Sequence, residues 1–105
     1  METAATTKVE VLDRLHHLGP ELGALGVARL GLFGSFLSGD VSDASDVDIL
    51  VEFVPGRKTF DNFMTLAQRL EDVLQRPVEL ITREWLSPHI GPRILEMVEY
   101  VSVGG

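Results

Sequence analysis

Cysteine is absent from this sequence, and so is any long hydrophobic run. Without cysteine the chain can form neither a disulfide nor a thiolate metal site. A helix that crosses a bilayer needs about 20 consecutive apolar residues, and no apolar stretch here approaches that length. The polar N-terminal stretch also lacks the apolar centre of a secretory signal peptide. We therefore expect a cytoplasmic protein without a membrane partner.

Basic residues are scarce as well. Nine Lys and Arg residues stand against 16 Asp and Glu, which gives a formal net charge of -7. General binding to nucleic acid needs many cationic side chains to displace counterions, so this balance argues against it. The charge is compatible with a basic protein partner, or with a carboxylate site that metal cations neutralise.

The length limits how many domains the chain can form. With 105 residues, of which 45% are hydrophobic, we expect one globular domain over residues 1–105. A chain of this size buries one modest core. It leaves little room for a second domain that would bind a small-molecule substrate.

Hydrophobic periodicity divides the chain into helices and strands. Helical patterns are predicted at residues 8–18, which Gly19-Pro20 interrupts, at 60–75 and at about 92–99. Alternating or apolar strand patterns are predicted at 27–33, 45–53 and 77–82. This order predicts an α/β fold in which a small mixed sheet of three to four strands has its helices packed on one face.

Carboxylates stand at the start of the second strand. In SDVDILVEF, Asp46 and Asp48 share one face with Leu50 and Glu52, and the opposite face is wholly apolar. Glu79 has the same parity on the third strand, so we expect it to point the same way as the aspartates. Side chains two residues apart on a strand can converge on one cation or bridge two. Glu52 lies further along and is assigned to the surface.

A glycine turn precedes the paired aspartates. Backbone N–H groups of a turn such as Gly34-Ser35 can hold phosphate oxygens, and a phosphate cradle facing carboxylates indicates a nucleoside triphosphate site. The simpler alternative is that these residues form a turn and a solvated strand face. Two other motifs are excluded. The run from Gly34 to Gly39 lacks the Lys-Ser/Thr of a P-loop, and the DVSDASDVD stretch lacks the Gly and Glu of an EF-hand.

The stretch GSFLSGDVSDASDVDILVEF resembles the signature of polymerase-beta-type nucleotidyltransferases, G-S followed about ten residues later by D-x-D. More narrowly, the chain is similar to the minimal nucleotidyltransferase (MNT) domains that are paired with HEPN-domain proteins. The resemblance extends over nearly the whole sequence, through the helix at 60–75, the RPVELIT strand and the SPHIGPRIL segment. It implies the nucleotidyltransferase fold.

The resemblance also implies a role for each residue of the motif. Gly34 and Ser35 would contact the triphosphate of ATP or another nucleoside triphosphate. Asp46, Asp48 and Glu79 would be the catalytic carboxylates and would bind two Mg²⁺ ions. Relatives usually have Asp where Glu79 stands, and an Arg where this chain has Ser38.

The function implied by the resemblance is an antitoxin that transfers AMP from ATP to a hydroxyl group of a HEPN-type partner. The alternative is an inactive nucleotidyltransferase-fold module that neutralises its partner by contact, and Ser38 and Glu79 keep it open. We also expect an exposed hydrophobic surface for the partner or for a homodimer. Its candidates are Leu37, Trp85 and the YVSV segment near the C-terminus.

Overall fold

The computed structural model describes residues 4–34, 46–85 and 96–101. In chain order the elements are helix α1 (Lys8–His17), helix α2 (Gly19–Ala24), strand β1 (Val27–Phe33), strand β2 (Val47–Phe53), helix α3 (Phe60–Leu74), strand β3 (Val78–Thr82), a short 3₁₀ turn (Arg83–Trp85) and strand β4 (Glu99–Val101). The predicted helices at 8–18 and 60–75 and the three predicted strands are all present, with ends that shift by one or two residues.

Each of the two longer helices begins at a threonine. The Thr7 hydroxyl accepts the backbone N–H of Glu10, and the Thr59 hydroxyl accepts that of Asn62. A side chain of this kind satisfies one of the donors that a helix N-terminus leaves unpaired. Gly19-Pro20 does interrupt the first helical pattern, but a second helix starts there, with Pro20 in its first turn, where its missing N–H costs nothing.

The four strands form one mixed sheet in the order β3-β2-β1-β4. β1 pairs antiparallel with β2 and with β4, whereas β2 and β3 are parallel and connected through α3. A parallel pair needs such a crossover connection, which the strand–helix–strand order supplies. The predicted mixed α/β sheet is thereby confirmed.

The main core lies between one face of the sheet and the helices. The side chains that meet there are fully or almost fully buried: Val11 and Leu15 from α1, Leu30 and Leu32 from β1, Val47, Ile49 and Val51 from β2, and Leu66, Leu70 and Leu74 from α3. Their burial supplies most of the driving force for folding, at about 25 cal/mol per Å² of apolar surface. This packing leaves the opposite face of the sheet for the carboxylates.

The end of the chain differs from the prediction. Glu96 and Met97 are helical, but Glu99–Val101 form β4 along the free edge of β1, so the predicted helix does not reach residue 99. A strand here gains backbone pairing along β1 that an isolated helical turn would lack. Tyr100 and Val101 are only partly exposed as a result, and the other two residues of the YVSV segment lie outside the described residues. The rest of the predicted helix, 92–95, lies outside the described residues.

The carboxylate face is open only in part. Leu50 shares this face with Asp48 and is fully buried, although it is not part of the main core. Its cross-strand neighbour Gly31 is also buried, and Val98 and Tyr100 pack against it. The start of β2 therefore remains accessible on this face, while the middle is covered.

Candidate active site

Three neighbouring strands bring Gly34, Asp48 and Glu79 together. Phe33, the last residue of β1, is the antiparallel partner of Asp48, which places Gly34 beside it. Asp48 is in turn the parallel partner of Glu79. Residues in register on adjacent strands have their side chains on the same face, about 5 Å apart. The two carboxylates thus stand side by side at the open start of this face.

Burial and charge act together on Asp48. Removal from water, a hydrogen bond with the Glu79 carboxyl group and repulsion from Glu79 and Asp46, in that order of size, raise the pKa of Asp48 from 3.8 to about 6. A carboxyl group that keeps its proton can donate to the neighbouring carboxylate, whereas two ionised groups at this distance repel each other. A cation placed between them would remove that repulsion.

Gly34 leaves the space that the Asp48 carboxylate occupies. Its φ of +76° lies in the left-handed region, which glycine adopts without penalty. A Cβ atom at this position would collide with the carboxylate and would come within 2.9 Å of its carbon atom. The turn after β1 therefore needs glycine for two separate reasons, and the second shows that its backbone lies close to Asp48.

Asp46 precedes β2 and is exposed. It is near enough for its charge to act on Asp48, but within residues 4–34, 46–85 and 96–101 no three acidic or histidine side chains are grouped as a metal site. The oxygen donors of Asp48 and Glu79 do fit Mg²⁺, which usually binds one or two carboxylates and completes its shell with water and substrate phosphates. The three-carboxylate site remains a prediction.

Several other residues singled out from the sequence lie outside the described residues or take a different role. Ser35, Leu37 and Ser38 fall outside, and so does the side chain of Trp85. Glu52, assigned to the surface, is half-buried and forms ion pairs with Arg29 at 2.7 Å and with Arg83 at 3.7 Å. Glu52 is thus held by cations of its own, four residues beyond Asp48.

A groove beside Glu79 was not predicted. It has a volume of about 580 Å³ and lies between the start of α3 and the outer edge of β3; it is lined by Lys58, Thr59, Phe60, Phe63, Met64 and residues 79–82. Phe60 and Met64 are 78% and 49% exposed. The signal was present in the sequence, because these two apolar residues are four apart on a helix and lie off its buried stripe.

The family of the chain follows from comparison with known proteins. The nucleotidyltransferase domain family matches residues 10–101, and this chain belongs to that family. The match includes the elements that carry Gly34, Asp46, Asp48 and Glu79, and it agrees with the resemblance seen in the motif.

Named relatives place the chain with the minimal members of the family. It is 39% identical over 70 residues to "Putative protein adenylyltransferase MJ0435" of Methanocaldococcus jannaschii, a match that covers 67% of this chain and 74% of the relative. It is 37% identical over 78 residues to "Protein adenylyltransferase MntA" of Thermococcus cleftensis, over 72% of this chain and 76% of the relative.

Solved structures agree with this placement. A "putative minimal nucleotidyltransferase" superposes with a TM-score of 0.80 at 25% identity, over 92% of this chain and 98% of the other. A toxin-antitoxin crystallised with AMP-PNP superposes with a TM-score of 0.64 at 21% identity, over 91% and 73% of the two chains, and this likeness shows the fold alone. Among the described residues, no helix is long and apolar enough to cross a membrane.

Proposed function

We propose that this protein transfers AMP from ATP to a hydroxyl group of a partner protein. The observation that carries the proposal is the Asp48–Glu79 carboxylate pair, in register on adjacent strands and bordered by the backbone of Gly34. Relatives at 37–39% identity have the name protein adenylyltransferase, which supports both AMP as the transferred group and a protein as the acceptor.

The reaction is a displacement at the α-phosphorus of ATP. The acceptor oxygen forms a new bond to this phosphorus while the bond to the bridging oxygen of the β-phosphate breaks. Pyrophosphate leaves with the electron pair of that bond, and the hydroxyl proton is released to water. The turn at Gly34-Ser35 would hold the triphosphate, and Glu79 would help to place the acceptor hydroxyl.

Asp46, Asp48 and Glu79 are the residues that would hold Mg²⁺. When bound, Mg²⁺ neutralises charge on the triphosphate and lowers the pKa of an attacking hydroxyl group. The side chains themselves contribute negative charge at a place where burial, a hydrogen bond with Glu79 and repulsion together already raise the pKa of Asp48 to about 6. That charge is the reason why a cation and a triphosphate should bind together here rather than separately.

The partner that we propose is a HEPN-type toxin, whose modification would silence it and make this protein its antitoxin. The resemblance to MNT domains supports this assignment, and the name of one relative, protein adenylyltransferase MntA, supports a protein as the acceptor. A second function is favoured by one observation. The described residues do not group three carboxylates as a metal site, which is what an inactive module that neutralises its partner by contact would also show.

Substitution of the aspartates separates these two functions. We expect Asp46→Asn and Asp48→Asn each to slow AMP transfer to the co-purified partner about a thousandfold, because losing about 4 kcal/mol of transition-state stabilisation has that effect. The assay follows label from [α-³²P]ATP into the partner. Asp13→Asn, a change at an exposed carboxylate on α1, is the matched control and should retain full transfer. If the double variant still silences the partner completely, the contact mechanism is correct.

A further inference from the structure

β3 forms an edge of the sheet. Its one strand neighbour among the described residues is β2, so the opposite side of its backbone faces outward. The N–H of Val47 donates to the carbonyl of Pro77 at 2.9 Å, which sets the alternation of the parallel ladder. Pro77, Glu79 and Ile81 direct their backbone groups towards β2, and Val78, Leu80 and Thr82 direct theirs outward.

At the start of β3, the outward-facing edge of the strand already has a hydrogen-bond partner. The N–H of Val78 donates to the Glu71 carboxylate at 3.0 Å, which satisfies the first outward donor. Leu80 and Thr82, the next outward residues, instead line the groove beside α3. Among the residues that the structure describes, the outward N–H and carbonyl groups of Leu80 have no partner and can pair with an added strand, whereas Thr82 is only 4% exposed.

The groove provides an apolar wall next to this edge. Phe60, Phe63 and Met64 stand along one side of it, and Phe60 is exposed more fully than any other large hydrophobic residue of the described chain. Exposed aromatic and methionine side chains cost solvation in a free protein and are frequent at protein-binding surfaces. An edge strand beside apolar pockets is the arrangement that binds extended peptides by strand addition.

We propose that the outer edge of β3 and this groove bind an extended segment of the acceptor protein, which pairs as a fifth strand and presents its hydroxyl residue beside Glu79. This inference depends on the proposed function for the identity of the segment. Glu79 carries it, because its side chain stands beside Asp48 and it also lines the groove. No other described residue belongs to both.

The pleat of the added strand determines which residues the acceptor segment needs. Successive side chains on a strand point to opposite faces. When the hydroxyl residue lies on the carboxylate face beside Glu79, its two neighbours lie on the helix face against Phe60, Phe63 and Met64. The acceptor segment should therefore have an apolar residue directly before or after the hydroxyl residue.

Peptide selection tests this without knowledge of the natural partner. The probes are three libraries of random twelve-residue peptides with Tyr, Ser or Thr fixed at a central position, selected against the wild-type protein with Mg²⁺ and AMP-PNP present. We expect enrichment of apolar residues next to the fixed residue. Bound peptide should slow the hydrogen exchange of the Leu80 amide, which pairing on this edge would protect.

Substitutions in the groove supply the controls. Phe60→Asp and Met64→Asp should each weaken peptide binding about tenfold or more, because a large apolar contact is lost and a charge is introduced. Val9→Asp alters another exposed apolar residue, 75% exposed on α1, and should leave binding unchanged. All three changes are at exposed positions, so the fold should tolerate them.

Three results would overturn the inference: no enriched peptide, enriched peptides that bind the Phe60→Asp variant as well as wild type, or a groove occupied by a second copy of the chain. The last would appear in light scattering as a dimer that Phe60→Asp dissociates. Failure of the proposed function looks different. Peptides would then bind as described but receive no labelled AMP from ATP.

Discussion

At the scale of single residues, Asp48 is the group among the described residues whose protonation depends most on its surroundings. It is partly buried, and its carboxyl group faces Glu79 in register and feels the charge of Asp46. Each of these contacts disfavours the ionised form. The metal-free protein thus carries a local electrostatic penalty at neutral pH, in the place where a cation and a triphosphate are proposed to bind.

This penalty leads to a pH-dependent effect on stability. Because folding raises the pKa of Asp48 from 3.8 to about 6, the unfolded chain releases this proton at lower pH than the folded protein does. The metal-free protein should therefore lose stability as pH rises from about 4 to about 6, and the loss should be complete above that range. Asp48→Asn cannot ionise, and its amide can still donate to Glu79.

We expect the melting temperature of Asp48→Asn to move upward relative to wild type across this window, in buffer with a chelator. Asp13→Asn is the control. Its melting temperature relative to wild type should not rise across this window, since it leaves the Asp48–Glu79 pair intact. A difference between Asp48→Asn and wild type that stays constant with pH would contradict the raised pKa.

Gly34 offers a second test at this scale, with a matched control in Gly56. Both glycines have positive φ, +76° and +84°, but a Cβ atom would meet Asp48 at Gly34 and nothing within 4 Å at Gly56. Alanine in the left-handed region costs about 1–2 kcal/mol by itself. Gly34→Ala should destabilise the protein by more than Gly56→Ala does, as measured by urea denaturation. Equal losses would show that Asp48 does not occupy the space next to Gly34.

At the scale of elements, the packing of β4 on the sheet depends on Gly31 in β1, which has no side chain. Gly31 pairs with Tyr100, and Val98 also packs directly on it, while Arg29 stacks over the Tyr100 ring at 4.2 Å and pairs with Glu52. A bulkier residue at position 31 would push these side chains off the sheet. The strand that covers the middle of the carboxylate face therefore packs directly on the backbone of Gly31.

Gly31→Ala should therefore loosen β4. A Cβ atom would clash with Val98 and lie 3.2 Å from the Tyr100 ring, and overpacking of this kind costs about 1–3 kcal/mol. Hydrogen exchange of the Tyr100 and Val101 amides should accelerate, and the free energy of unfolding should fall. Gly23→Ala in α2 is the contrasting change. Its new Cβ meets nothing within 4 Å, so it should stabilise the helix by about 0.5–1 kcal/mol. Unchanged exchange in Gly31→Ala would refute the packing role.

At the scale of the whole molecule, the formal charge of -7 disfavours an anionic nucleotide unless a cation accompanies it. We expect Mg²⁺ and ATP together to raise the melting temperature by more than the sum of their separate effects. At a hundredfold excess of ligand over Kd, binding stabilises by about 2.7 kcal/mol, or about 10 °C or more for a chain of this size. Asp48→Asn should lose this synergy. Additive shifts in the wild-type protein would count against a metal-bridged nucleotide.

The sequence by itself determined much of this protein. Periodicities of 3.6 and 2 identify the two longer helices and the first three strands, because they record which side of each element is buried, and burial is decided residue by residue along the chain. The same alternation placed Asp48 and Glu79 on the face away from the core. The glycine turn and the D-x-D motif indicated the family of the protein.

Only the tertiary structure decided how these elements meet. Register between β2 and β3 depends on how α3 packs across them, and no local pattern encodes it, yet it is what puts Asp48 beside Glu79. The strand at Glu99–Val101, where the predicted helix extended to residue 99, depends on the free edge of β1, and the groove at Phe60 depends on the free edge of β3. Edges and registers arise from contacts between residues far apart in sequence, so they become visible only when the chain is folded.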